Sequence, residues 1–153
     1  TPRAAGLKDL ESALDCCGSD LQMKEAILRE LSERYIQLGK TAQAHAALDK
    51  LIAEGVKGRA PYQTAVRAKA VLLAKEKKFD AADKMLARLS SKEKLQKFWF
   101  FITKAKIETA KGKLAEAENL YDKAFAIKGI PLPVVRFQKI EAGKSIPKFK
   151  EKK

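Results

Sequence analysis

Cysteine and histidine are nearly missing from this chain. Cys16 and Cys17 stand side by side, no other cysteine exists to pair with either, and His45 is the only histidine. A disulfide between adjacent cysteines is geometrically awkward. The pair therefore points to an intracellular, reducing compartment: cytoplasm, cytoskeleton or nucleus. One of the two is expected to pack in a short helix and the other to face water. Two cysteines and one distant histidine supply no four-ligand spacing, so no metal is expected. The sequence also lacks a glycine-rich phosphate loop, a nucleophile elbow and a two-histidine metal motif. His45 adjoins the small Ala44 on a partly exposed helical face and reads as a surface residue. Neither catalysis nor a cofactor is expected. Only five prolines and eight glycines interrupt 153 residues, which argues against extended disorder except at the ends. Apolar runs are short as well. None approaches the roughly 20 residues of a membrane span, and no membrane insertion is expected. A leading Thr-Pro-Arg in place of an initiator methionine fits a fragment or a processed chain.

What is present is periodic. From Trp99 to Ala126, two amphipathic helical patterns flank Lys111-Gly112-Lys113. Gly112 fits the left-handed residue that ends a helix. Leu114, Ala117, Leu120, Tyr121, Ala124 and Phe125 recur every three or four residues and so share one helical face. Ala117 is small where two helix backbones must approach. The spacing predicts an αα-hairpin. Two further copies precede it. Leu31 and Tyr35 lead to Gly39, then Ala44, Leu48 and Leu51 follow. Val66, Ala70 and Leu73 lead to Lys77, then Ala82, Leu86 and Leu89 follow.

Ala44, Ala82 and Ala117 are 38 and 35 residues apart, steps that bracket a period of about 34 residues. The copies resemble the tetratricopeptide repeat, whose large-small-large signature falls on Leu31, Tyr35, Gly39, Ala44, Leu48 and Leu51. The resemblance covers roughly residues 22–127. It departs at Lys77, where the turn glycine should stand, and at Gly129, where the closing proline should stand. It implies an all-α fold: a right-handed superhelix, or solenoid, of three αα-hairpins with short terminal capping helices. Residues 1–142 then form one domain, with repeats at about 22–54, 61–89 and 94–127 and a capping helix at about 132–141.

The residue pattern itself places helices near 7–17, 21–38, 41–54, 61–76 and 79–89. Ser19 with Gln22, and Ser90 with Glu93, have capping-box spacing. From Gly143 onward, Lys144, Lys148, Lys150, Lys152 and Lys153 outnumber Glu151, and residues 143–153 read as a basic flexible tail.

Charge is plentiful but lopsided. Of the formal net +13, residues 1–57 carry −1 and residues 58–153 carry +14. Such asymmetry predicts a polyanionic partner for the second half, with Lys104, Lys106, Lys111, Lys144, Lys148 and Lys150 as candidate contacts. The plainer reading is a lysine-rich face that keeps a repeat protein in solution. Tetratricopeptide arrays bind peptides on a concave face built from the first helix of each hairpin. The resemblance implies that this face includes Arg29, Glu33, Arg67, Val71, Lys75, Trp99, Ile102 and Lys106. The family's two-carboxylate clamp is not matched, because Glu33 and Ala68 stand where its asparagines should. The four consecutive aromatics Phe98, Trp99, Phe100 and Phe101 cannot share one helical face, since successive residues step about 100°. They are expected to bridge neighbouring repeats or to leave Trp99 as a binding anchor.

A narrower resemblance runs through the same region. Lys94-Leu95-Gln96-Lys97-Phe98-Trp99, Lys104-Ala105-Lys106, Ala110-Lys111-Gly112, Leu120-Tyr121 and Ala124, then Gly129, Pro131 and Arg136, are similar to the C-terminal domain of the cytoskeleton-associated protein 2 family. That match covers about residues 86–136, with small length differences after Trp99 and Gly112. Members of the family are basic mitotic-spindle proteins that associate with microtubules. The resulting expectation is a non-catalytic interaction module or scaffold for an acidic protein or peptide. A microtubule- or spindle-associated protein meeting acidic tubulin tails is one alternative, and an RNA- or DNA-associated helical repeat is another. Scarce arginine in the basic half argues mildly against reading of bases, where bidentate arginine is favoured.

Overall fold

The computed structural model describes residues 6–89 and 92–151, and among these the chain is all-α without a strand. The helices are α1 (Leu7–Cys16), α2 (Leu21–Gln37), α3 (Thr41–Glu54), α4 (Ala60–Lys75), α5 (Phe79–Leu86), α6 (Lys94–Ala110), α7 (Leu114–Phe125) and α8 (Leu132–Gly143), followed by a 3₁₀ turn at Pro147–Phe149. None is long and apolar enough to cross a membrane. Helix α5 stops at Leu86, short of the expected 89, because Arg88 and Leu89 donate three residues back, to Met85 and Leu86. The N-cap of α2 is Asp20 rather than Ser19. Its carboxylate accepts the Met23 N–H at 3.0 Å, the same three-residue reach started one position later. Ser90 lies outside the described residues, and Glu93 stands at the N-cap of α6 without a side-chain cap bond.

One turn is built three times. After α2, the N–H of Gly39 donates to Ile36 O at 3.1 Å and that of Lys40 to Tyr35 O at 2.8 Å. After α4, Lys77 donates to Ala74 O at 3.0 Å and Lys78 to Leu73 O at 2.9 Å. After α6, Gly112 donates to Thr109 O and Lys113 to Glu108 O, both at 3.0 Å. These are the paired bonds that close a helix around a left-handed residue. The carbonyls of Lys40, Lys78 and Lys113 then accept the N–H groups of Ala44, Ala82 and Ala117, each at 3.0 Å. The turn thus sets each alanine in the first turn of the second helix, and all three are 0% exposed.

Two of the left-handed positions are glycine, Gly39 at φ 71° and Gly112 at φ 82°, but the middle one is Lys77 at φ 63°. A side chain there crowds the following carbonyl, at roughly 1–2 kcal/mol for a left-handed L-residue. Glycine removes that crowding but gives the unfolded chain more freedom. Lys77→Gly is therefore expected to raise stability by about 1 kcal/mol, seen as a higher midpoint in urea unfolding. A lower midpoint would mean that the lysine side chain stabilises the turn by more than its backbone strain costs.

The sequence pattern predicts one domain over residues 1–142; the chain groups into two compact units, 1–69 and 70–153, with the division inside α4. In the first unit α1 packs on α2 and α2 on α3. Leu28, Leu31, Ala44, Leu48, Leu51 and Val66 are buried there. The Tyr35 hydroxyl donates to Glu11 Oε1 at 2.7 Å, which ties α1 to α2. Burial, and secondarily Glu11, pushes that phenol up to about 12. Lys24 pairs with Glu54 at 2.6 Å, and Lys69 pairs with Asp49. Cys16 is exposed and Cys17 half-buried, its thiol donating to Leu14 O at 3.1 Å.

The second unit holds two apolar clusters with α6 common to both. One gathers Ala70, Leu73 and Ala74 of α4, Ala82 and Leu86 of α5, and Ile107 of α6. The other gathers Phe98, Ile102 and Ala105 of α6, Ala117, Tyr121 and Ala124 of α7, Ala142 of α8, and Ile146. The aromatic run divides between them. Phe100 packs on the first cluster, whereas Phe98 lies inside the second with Trp99 and Phe101 against it. Residues 143–151 depart from the expected flexible tail. Ile146 is buried, and the Phe149 ring meets Tyr121 edge-on at 5.8 Å and Phe125 at 5.3 Å. Two apolar residues three apart were masked by the lysines around them. Lys152 and Lys153 of that segment lie outside the described residues.

Candidate functional site

Residues 70–153 carry 21 basic and 10 acidic side chains, a net +11. Where those cations lie relative to apolar surface decides what the second unit can bind. A groove of about 340 Å³ is lined by Val71 and Lys75 of α4, Lys106 of α6, Tyr121 of α7, and Glu141 and Lys144 near the end of α8. Glu141 Oε1 accepts from Lys144 Nζ at 2.9 Å. Burial raises the Tyr121 phenol to about 12, and the Glu141 carboxylate adds to the rise. Three lysines, one from α4, one from α6 and one just past α8, thus line the groove together with one phenol and one carboxylate. Lysine offers donors and no acceptor, so the groove suits an incoming carboxylate or phosphate.

Three residues expected on the peptide-binding face, Val71, Lys75 and Lys106, are brought together here, and Lys144 joins them from the polyanion set. Ile102 must be withdrawn from that face. It is 1% exposed and packs inside the second cluster, one turn before Lys106 but rotated into the core. Trp99 is half-buried against the same cluster, edge-on to Phe98 at 5.2 Å, and does not line this groove. In the first unit, Arg29 and Glu33 are exposed on α2. Arg67 is half-buried, donating to Thr64 Oγ1 at 3.3 Å, and burial lowers its guanidinium to about 10.

The polyanion set is less available than its charges imply. Lys111 is corrected to a structural residue. Its side chain is only 17% exposed, and Nζ donates to Asp83 at 2.9 Å and Glu108 at 3.0 Å. Those bonds, that to Asp83 foremost, hold its ammonium above the usual range. Lys148 reaches Asp122 at 2.8 Å and Glu118 at 3.5 Å. Lys104 and Lys150 are exposed.

A larger groove, about 690 Å³, was not foreseen from the sequence. Phe125 of α7, Leu132, Arg136 and Lys139 of α8, and Phe149 and Lys150 beyond it contribute to its walls. The only sequence signal for it is the three-residue spacing of Ile146 and Phe149 among lysines. Most residues that carried the narrower, spindle-type resemblance are exposed or half-buried, and four of them, Phe98, Ala105, Tyr121 and Ala124, are buried. The pattern of those four encodes helix packing before it encodes a partner. Among the described residues no three His, Cys, Asp or Glu side chains gather as a metal site would need. No protein-family model, no curated protein and no solved structure matches the chain.

Proposed function

We propose that this chain is a non-catalytic helical-repeat module of the tetratricopeptide kind, which binds an acidic protein segment in the groove between α4, α6 and α8. The convergence of Lys75, Lys106 and Lys144 on one groove beside a single carboxylate carries the reading. Three turns of identical bonding, each seating a buried alanine, support the repeat character. A peptide laid across α4 and α6, the first helices of successive hairpins, meets a lysine donor from each and the apolar Val71.

The test is fluorescence anisotropy with a labelled peptide of alternating glutamate and leucine. The double variant Lys75→Glu/Lys106→Glu is expected to weaken binding at least tenfold. A control pair, Lys50→Glu/Lys57→Glu, changes net charge by the same amount at exposed first-unit positions. It is expected to lose far less. Equal losses from both pairs would overturn the groove and favour spread electrostatics, as for a tubulin tail or nucleic acid, where affinity also falls steeply with salt.

A further inference from the structure

Helix α8 has a face that the fold leaves uncovered. Seven large apolar side chains stand exposed among the described residues, and three of them are on this one helix: Leu132 at 81%, Phe137 at 58% and Ile140 at 44%. Pro133, Phe137 and Ile140 recur at four and three residues, so they form a single stripe along α8. The opposite side of the helix is the buried one, with Gln138 and Ala142. Beside the stripe opens the 690 Å³ groove, lined by the half-buried Phe125 and Phe149 and by the exposed Arg136, Lys139 and Lys150.

We infer that this face of α8, with the groove beside it, docks an acidic amphipathic helix of a partner protein. The charge is complementary: Arg136 and Lys139 run along the groove side of the stripe, so a partner needs aspartate or glutamate along that side of its own apolar residues. Recognition of this type reads anchors at i, i+4 and i+7. The 12 residues of α8 span about 18 Å, enough for three turns of a partner. Nucleic acid fits the groove less well, because bases stack on open ring faces. Here Lys139 Nζ lies over the Phe125 ring at 5.5 Å and Lys148 Nζ over the Phe149 ring at 5.7 Å. A second copy of the chain fits less well too, since it would set Arg136 and Lys139 against the same cations. The surface is separate from the α4–α6–α8 groove and does not depend on it.

An 18-residue synthetic helix with leucines at i, i+4 and i+7 and glutamates flanking them is the probe, titrated by calorimetry. Binding is expected to be accompanied by a gain in peptide helicity. Phe137→Glu and Arg136→Glu, each at an exposed position, are expected to weaken it at least tenfold, while Lys75→Glu/Lys106→Glu leaves it within twofold. Two variants of different chemistry guard against a single one disturbing the fold, which circular dichroism checks. A scrambled peptide of the same composition that binds equally well would overturn the inference, leaving charge alone. So would displacement of the peptide by a single-stranded oligonucleotide, or sedimentation showing a dimer that Phe137→Glu dissolves.

Discussion

Phe98→Ala is expected to remove about 3–5 kcal/mol from the stability of the second unit. Phe98 is among the largest side chains with no exposure at all. It meets Trp99 at 5.2 Å and Phe125 at 6.5 Å, inside a cluster that takes residues from α6, α7, α8 and Ile146. The space left by the ring cannot close easily, because α6 also carries Ile107 into the other cluster and is held from both sides. At about 2–4 °C per kcal/mol for a chain of this size, the thermal transition should fall by roughly 6–20 °C. Leu114→Ala is the matched control. That leucine is exposed on α7, and its loss should cost no more than about 0.5 kcal/mol. Equal effects from the two would mean that α6 does not face the cluster as described.

Ala117→Leu tests packing in the opposite sense, by addition. Ala117 is fully buried, and its N–H bonds to the Lys113 carbonyl at 3.0 Å, in the turn where α7 leaves α6. Extra carbons there have no room and must displace either the helix or its neighbours, a cost of about 1–3 kcal/mol. Urea unfolding reads it. An unchanged midpoint would show that the backbones do not approach at this alanine. The same substitution at Ala44 or Ala82 meets the same turn, so similar losses at all three positions would identify the turn as the repeated unit.

Helix positions were legible because two independent signals coincide, the apolar period and the turn between paired helices. Lys77 shows that the period alone suffices. The glycine is missing, yet the apolar residues on either side keep their phase, and the backbone takes the left-handed turn regardless. Facing was read less well than position. Ile102 and Lys106 lie four apart on α6, close enough in angle to be assigned one face, but the second cluster takes the first and not the second. Lys111 was misread for a different reason. Its partner Asp83 is 28 residues away, and no local pattern announces an ion pair between helices. The candidate groove was half legible. Val71, Lys75 and Lys106 follow from helix phase, whereas Lys144 arrives only because α8 docks where it does.

The repeated turn also bears on how the chain acquires its structure during synthesis. Helices α2 and α3 are neighbours in sequence and pack on each other, so that hairpin can close once residue 54 has been made. The same holds for α6 and α7. Short loops cost little to close, and contacts between sequence neighbours form early. The second cluster is different in one respect. Ile146 and Phe149 pack on Phe98, Tyr121 and Phe125, yet they are translated after everything they cover. A nascent chain therefore exposes its most aromatic surface until those two residues leave the ribosome, and during that interval the surface is open to chaperones or to like-minded neighbours.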